Sequence, residues 1–229
     1  MKQLKKSAVL IALLLSLAAP QLEAKDSGKQ KKGEKSEKRI PAFIWQDPGD
    51  ISSRDLRFGP GSPELAPVPP FVFRKEDKDG ESPKIKIKDA RGVEWSVKLG
   101  PEAQTETVAT RLVWAVGYFA EEAYYFDRAR IEGLPRLSRG REYVDGDVVL
   151  GARFEPRREG VERADTWDWK KNPFAGRREL DGLKILMILL NNYDAREANN
   201  LVMLVRNPRL NRTEARYLVS DLGATLGKA

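Results

Sequence analysis

Asn192-Tyr193-Asp194-Ala195-Arg196-Glu197-Ala198-Asn199, followed by Asp221-Leu222-Gly223, is the stretch on which the fold turns. It comes straight after Arg178–Asn191, where Leu180, Leu183, Ile185, Leu186, Met187, Ile188, Leu189 and Leu190 make a helix that is apolar nearly all round. That pattern predicts a buried helix delivering the loop Asn192-Tyr193-Asp194. Beyond Asn199, two β-prone runs, Leu201–Arg206 and Arg216–Ser220, flank a turn-rich Asn207-Pro208-Arg209-Leu210-Asn211 segment and predict a hairpin. A hairpin returns the chain to its start, so Asp221 is expected to face Asn199 across a gap of metal size. Two oxygen-bearing side chains then converge on one ion.

Upstream, Lys84–Lys88 alternates Lys and Ile, Asp89-Ala90-Arg91-Gly92 makes a turn, and Val93–Leu99 alternates again. Val93, Trp95, Val97 and Leu99 share one face, which puts Lys98 on the other. Gly100-Pro101-Glu102 starts a helix, with Pro in the first turn and Glu at the positive end of the dipole. This helix is predicted to run to Val116, stop at Gly117 and bury Val108, Leu112, Val113 and Val116. Glu106 lies on it, eight residues after Lys98.

An Asp-x4-Asn pair recurs by chance in chains of this length, but the surrounding elements narrow its meaning. In this order and at these spacings the chain resembles the atypical kinase superfamily that includes lipid kinases and HipA-like and CotH-like kinases, over roughly residues 71–229. The resemblance implies an α+β, kinase-like two-lobed fold, with a complete β-rich N-lobe carrying one helix and a truncated C-lobe. It also implies ATP as co-substrate, Mg²⁺ or Mn²⁺ as cofactor, and a hydroxyl-bearing acceptor. By resemblance Lys98 holds the α/β-phosphates, Glu106 orients Lys98, Asp194 accepts the substrate proton, Arg196 neutralises γ-phosphate charge, and Asn199 with Asp221 holds the metal. The other class of function is a catalytically inactive kinase-fold binding or envelope-associated protein.

The chain departs from the kinase pattern in several places. No Gly-x-Gly-x-x-Gly precedes Lys84, so phosphate cover has to come from another segment. Asn192-Tyr193 stands where ordinary protein kinases have His-Arg, Arg196 where they have Lys, and Leu222 where they have Phe. Each site residue also has a plainer use. Lys98 can be a solvated strand cation, Glu106 a charge on the wet face of a helix, and Asp194, Asn199 and Asp221 turn residues. Those uses have to hold all at once to remove the site.

Residues 1–24 carry Lys2, Lys5 and Lys6, then the apolar run Ala8–Ala19, then Leu22-Glu23-Ala24, the form of a cleaved signal peptide. Export to the periplasm or medium is therefore expected, with an uncleaved N-terminal membrane anchor as the alternative. The chain has neither Cys nor His. Disulfides, lipoprotein attachment, His/Cys zinc sites, Ser-His-Asp triads and Cys nucleophiles are excluded, leaving carboxylate, Asn and Lys chemistry, which suits Mg²⁺ or Mn²⁺.

The net charge is +7. The leader holds three Lys against Glu23, and Lys25–Arg39 holds seven cations against three anions, so only +1 falls on residues 40–229. No nucleic-acid partner is expected. The basic segment 25–39 reads as a disordered linker that touches anionic envelope surfaces. Residues 40–70, with Pro41, Pro48, Pro60, Pro63, Pro67, Pro69 and Pro70, read as an extended wrap. An N-lobe at 71–165 and the start of a C-lobe at 166–229 follow. Few residues remain after Gly223, so an exposed apolar face is expected on the helix Arg178–Asn191. A partner chain, a dimer or a natural continuation of the chain would then cover it.

Overall fold

The alternating segments become strands because their apolar residues fill a closed barrel-like sheet. The computed structural model describes residues 40–227. The predicted signal peptide and the basic linker lie outside the described residues. The fold is α+β, mostly strands, with two α-helices. One sheet contains β2 (Phe71–Asp77), β3 (Lys84–Lys88), β4 (Glu94–Leu99), β5 (Tyr124–Glu132), β6 (Val144–Asp145) and β7 (Val148–Pro156). Its order is β4-β3-β2-β5-β7-β6, and an additional antiparallel pairing of β4 with β7 closes the ring. Ile85, Ile87, Trp95, Val97, Leu99, Ile131 and Phe154 point inward and are at most 1 % exposed, which is the apolar half of the period-2 pattern. Lys84, Ser96, Lys98, Arg153 and Glu155 therefore share the outer face.

Helix α1 (Glu102–Ala115) covers part of that outer face. Gly100, at φ +96, turns the chain from β4 into it, and a Cβ there would lie 2.9 Å from the Tyr143 ring. The helix ends where expected. Tyr118 N donates to Val113 O at 3.3 Å and Gly117 N to Trp114 O at 3.0 Å, a Schellman ending around left-handed Gly117. Its buried residues differ from the predicted stripe, being Ala103, Glu106, Thr107, Ala109, Thr110, Val113 and Ala115, with Val108 exposed. Small residues face the sheet because a barrel wall leaves little room between backbones. The apolar count of the helix thus misplaced its stripe.

A second sheet holds β1 (Ala42–Phe43), β8 (Val161–Asp165), β9 (Asn200–Asn207) and β10 (Arg212–Val219) in the order β1-β10-β9-β8. The β9–β10 hairpin is longer than predicted, pairing Asn200 with Val219 through to Asn207 with Arg212. Helix α2 (Arg178–Leu189) packs on it through Leu180, Leu183 and Met187. Ile44, Trp167, Phe174, Val202, Leu218 and Leu222 complete or border this core.

Helix α2, apolar nearly all round in sequence, is buried on one side and carries the expected exposed apolar face on the other. Ile185, Ile188 and Leu189 are 58, 77 and 75 % exposed. A helix apolar on every face gains burial only where a neighbour exists, and among the described residues nothing covers that side. Residues 40–70 lie along the body. Ile44 is buried, Trp45 Nε1 donates to Val116 O, and Ala42 and Phe43 pair parallel with Ala215 and Arg216.

Candidate functional site

The end of α2 sets up the loop. Asn191 takes a left-handed φ of 50, and Asn192 N and Asn191 N donate back to Met187 O and Ile188 O, both at 2.9 Å. Asn tolerates this conformation better than a branched residue, so the helix stops here and the chain turns into 192–199. Within the loop, Asn192 Oδ1 accepts from Asp194 N at 2.9 Å, and Asn199 Nδ2 donates to Asp194 O at 2.8 Å and Asp194 Oδ2 at 2.9 Å. Ser220 N donates to Asn199 O at 2.8 Å, so the hairpin brings the residue before Asp221 back to the loop.

Lys98 is the centre of the site. Its Nζ lies 2.9 Å from Glu106 Oε2, 3.2 Å from Asp221 Oδ1 and 3.1 Å from Glu102 Oε2. Glu106 is 1 % exposed and uses its other oxygen on Arg153 Nη1 at 3.0 Å. Burial pushes the Glu106 carboxyl up, with Arg153 and Lys98 opposing. A cation on each oxygen makes it the charged partner of both. Burial acts to lower Lys98, but Glu106 and Asp221 outweigh it and hold the ammonium well above its usual range. Asp221 sits below its usual range: burial works against ionisation, and the Lys98 ammonium together with the Gly223 N–H overcomes it.

Lys98, Glu106, Asn199 and Asp221 line one cleft of about 270 Å³, together with Lys84, Ser96, Arg153, Glu155, Arg157, Arg163, Ser220 and others. Four of the six predicted site residues thus share a cavity. Asp194 and Arg196 do not line it. They form a two-point ion pair with each other, Arg196 Nε to Asp194 Oδ1 at 2.8 Å and Arg196 Nη2 to Asp194 Oδ2 at 2.9 Å, and Asp194 reaches the cleft only through Asn199.

The sequence pattern did not single out Arg153, Glu155, Arg163 or Glu121. Arg153 Nη2 meets Glu155 Oε2 at 2.9 Å, and Arg163 pairs with both Glu155 and Glu121. Burial tends to raise Glu155, but Arg153, Arg163, Arg157 and Lys84 hold it below the ordinary value. Burial, then the Glu155 charge, push Glu121 up to about 7. The one available signal was the alternation Arg153-Phe154-Glu155, which in a strand puts the two charged residues on the face opposite Phe154.

A neighbouring pocket of about 510 Å³ shares Glu155, Arg157 and Arg163 with the cleft; Phe119, Pro156, Val161, Met203 and Leu218 give it an apolar side, and Glu121, Glu122, Arg158, Glu159 and Arg216 a charged one. Among the described residues, no group of three or more His, Cys, Asp or Glu is placed to hold a metal ion. Likewise no helix among them is long and apolar enough to cross a membrane. No family model, curated protein or solved structure matches this chain.

Proposed function

We propose that this protein is an exported, atypical kinase-like protein that binds ATP with Mg²⁺ or Mn²⁺ and resembles phosphotransferases acting on a hydroxyl. One observation carries it: Lys98 Nζ joins Glu106 at 2.9 Å and, across 123 positions of chain, Asp221 at 3.2 Å. Residues taken from three separate motifs meet at one nitrogen. The two-lobed kinase fold is part of the same proposal, with the barrel and α1 as the N-lobe and α2 with the β9–β10 hairpin as the start of the C-lobe.

The donor set fits a hard cation. Asp221 keeps Oδ2 outside its bond to Lys98, and the Asn199 Nδ2 is turned to Asp194, which leaves the amide oxygen as its free end on the cleft. One carboxylate and one amide oxygen suffice for Mg²⁺ when phosphate oxygens and water complete the shell, so no acidic trio is required. When bound, the metal supplies charge neutralisation at the phosphates. The protein's own residues do the rest. Glu106 holds Lys98 at the cleft, the Lys98 ammonium attracts phosphate oxygens, and the apolar side of the pocket beside Glu155 and Arg157, formed by Phe119, Met203 and Leu218, offers a surface for a nucleoside base. Asp194 is the acceptor for a substrate hydroxyl proton once Arg196 swings from it to phosphate.

The inactive binding protein is favoured by one feature, the Asp194 carboxylate being held by Arg196 and Asn199 at the same time. A carboxylate so clamped has no oxygen turned to a substrate hydroxyl. Thermal unfolding with ATP and Mg²⁺ or Mn²⁺ tests both. Ligand at a hundredfold excess over Kd adds about 2.7 kcal/mol, a rise of about 5–10 °C in Tm for a chain of this size. No shift removes both readings, and a shift without any phosphate transfer selects the binding protein.

A further inference from the structure

Three cations stand side by side across the barrel wall. Lys84 on β3 is directly opposite Lys98 on β4, and Lys98 is directly opposite Arg153 on β7. Like charges placed opposite each other destabilise a sheet, and local rules are broken in this way mainly at functional sites. The carboxylates around the row answer only part of it. Glu106 takes Lys98 and Arg153, Asp221 and Glu102 take Lys98, Glu155 takes Arg153 and Arg163, and Glu121 takes Arg163. Asp77, the neighbour of Lys84 in the row, gives its carboxylate to Lys86 at 3.3 Å.

Lys84 is left without an ion pair or a side-chain hydrogen bond among the described residues. So is Arg157, two residues beyond Glu155 on the same barrel face, whose recorded hydrogen bond is from its backbone N to Glu94 O. Both side chains line the cleft that holds Lys98 and Asp221. Arg157 lies opposite Glu94, four residues along β4 from Lys98, so its backbone is two strands across and four residues along from Lys84, on the order of 16 Å away. Two long side chains reaching into the cleft from such a separation suit a chain of linked anions instead of a single one.

We infer that Lys84 and Arg157 form a two-cation clamp for the phosphate chain of a polyphosphate ligand, doing with side chains what no glycine-rich loop is present to do with backbone. The inference rests on the nucleotide reading of the same cleft and adds to it the residues that select a triphosphate over a monophosphate. A lysine contributes a point charge, and an arginine a fork able to hold two oxygens of one phosphate. Glu155 beside Arg157, and Asp77 beside Lys84, keep the empty clamp from repelling itself apart.

The test is isothermal titration of the full chain with inorganic tripolyphosphate, ATP with Mg²⁺, and AMP, for the wild type, Lys84→Gln and Arg157→Gln. Each variant is expected to bind tripolyphosphate and ATP about tenfold more weakly, with AMP changed by no more than about twofold. Lys84→Gln is also expected to melt no lower than the wild type, because it relieves the opposition to Lys98; this separates lost binding from lost folding. Unchanged ATP and tripolyphosphate binding in both variants overturns the clamp and leaves the nucleotide site standing. Equal losses for AMP and ATP overturn it too, as a general field effect. Tripolyphosphate binding that disappears in the variants, with ATP no tighter and no metal dependence, upholds the clamp and removes the nucleotide reading. If the wild type binds neither ligand, both fail.

Discussion

Glu106 bridges Lys98 and Arg153, one carboxylate oxygen on each, at 2.9 and 3.0 Å, while itself 1 % exposed. A single buried anion thus fixes two strands, β4 and β7, to one helix. Replacing it with Gln takes one carboxylate from each of two buried cations, leaving Lys98 to Asp221 and Glu102 and Arg153 to Glu155. Glu106→Gln should cost about 2–3 kcal/mol, a fall of about 4–12 °C in Tm. A Tm within 2–3 °C of wild type, roughly 1 kcal/mol, would show the bridge to be energetically idle.

Lys98 and Glu106 should also act as one unit in binding. Lys98→Ala and Glu106→Ala are expected to weaken ATP binding by similar factors, and the double variant to lose little beyond either. A double-mutant cycle by titration measures this. Strictly additive losses mean that Glu106 does not position Lys98.

Asp221 is half exposed at its side chain, so its removal disturbs packing little. Asp221→Asn should keep the fold and lose the Mg²⁺- or Mn²⁺-dependent part of ATP binding, read as the difference in Tm with and without metal. Metal dependence that survives in Asp221→Asn moves the ion elsewhere in the cleft.

Glu121 gives the protein a pH-dependent stability. Its carboxyl, raised from 4.5 to about 7 by burial and by Glu155, stays protonated in the fold while the unfolded chain ionises. A raised acid therefore weakens the fold as pH climbs from about 4.5 to 7, by on the order of 3 kcal/mol when complete. Glu121→Gln removes that loss. Chemical denaturation at pH 5 and pH 8 should show the variant gaining on wild type at the higher pH, and an equal difference at both values contradicts the assignment.

The two faces of α2 should respond in opposite ways. Leu183, 1 % exposed, should cost about 2–5 kcal/mol as Leu183→Ala, whereas Ile188→Lys at 77 % exposure should change stability by no more than about 0.5 kcal/mol. Ile188→Lys should also lower the binding of a hydrophobic dye and any self-association seen by light scattering. Loss of stability in Ile188→Lys would show that the face is covered in solution.

Much of this was legible along the chain, because periodicity and turn chemistry act within a segment. The Lys-Ile alternation of 84–88, the apolar face Trp95-Val97-Leu99, the stop at Gly117 and the 199-to-221 hairpin each depend on neighbours a few residues away. The Lys98–Glu106 pair is different: the eight-residue step leaves both readable as solvated charges, and it was the resemblance to kinases that singled them out as partners.

What lies beyond local spacing was decided by closure of the barrel. Arg153 reaches Glu106 only because β7 pairs with β4, and Lys84 faces Lys98 only in the register that pairing and the β3–β4 turn impose. The burial of α2 on one side, the small-residue face of α1, and the locking of Asp194 by Arg196 depend likewise on which surfaces happen to meet. Residue types and their order determined the strands, the helices and the turns that join them. Only the tertiary structure decided which charges were left unanswered, because an ion pair is set by distance in space and the chain records only distance along itself.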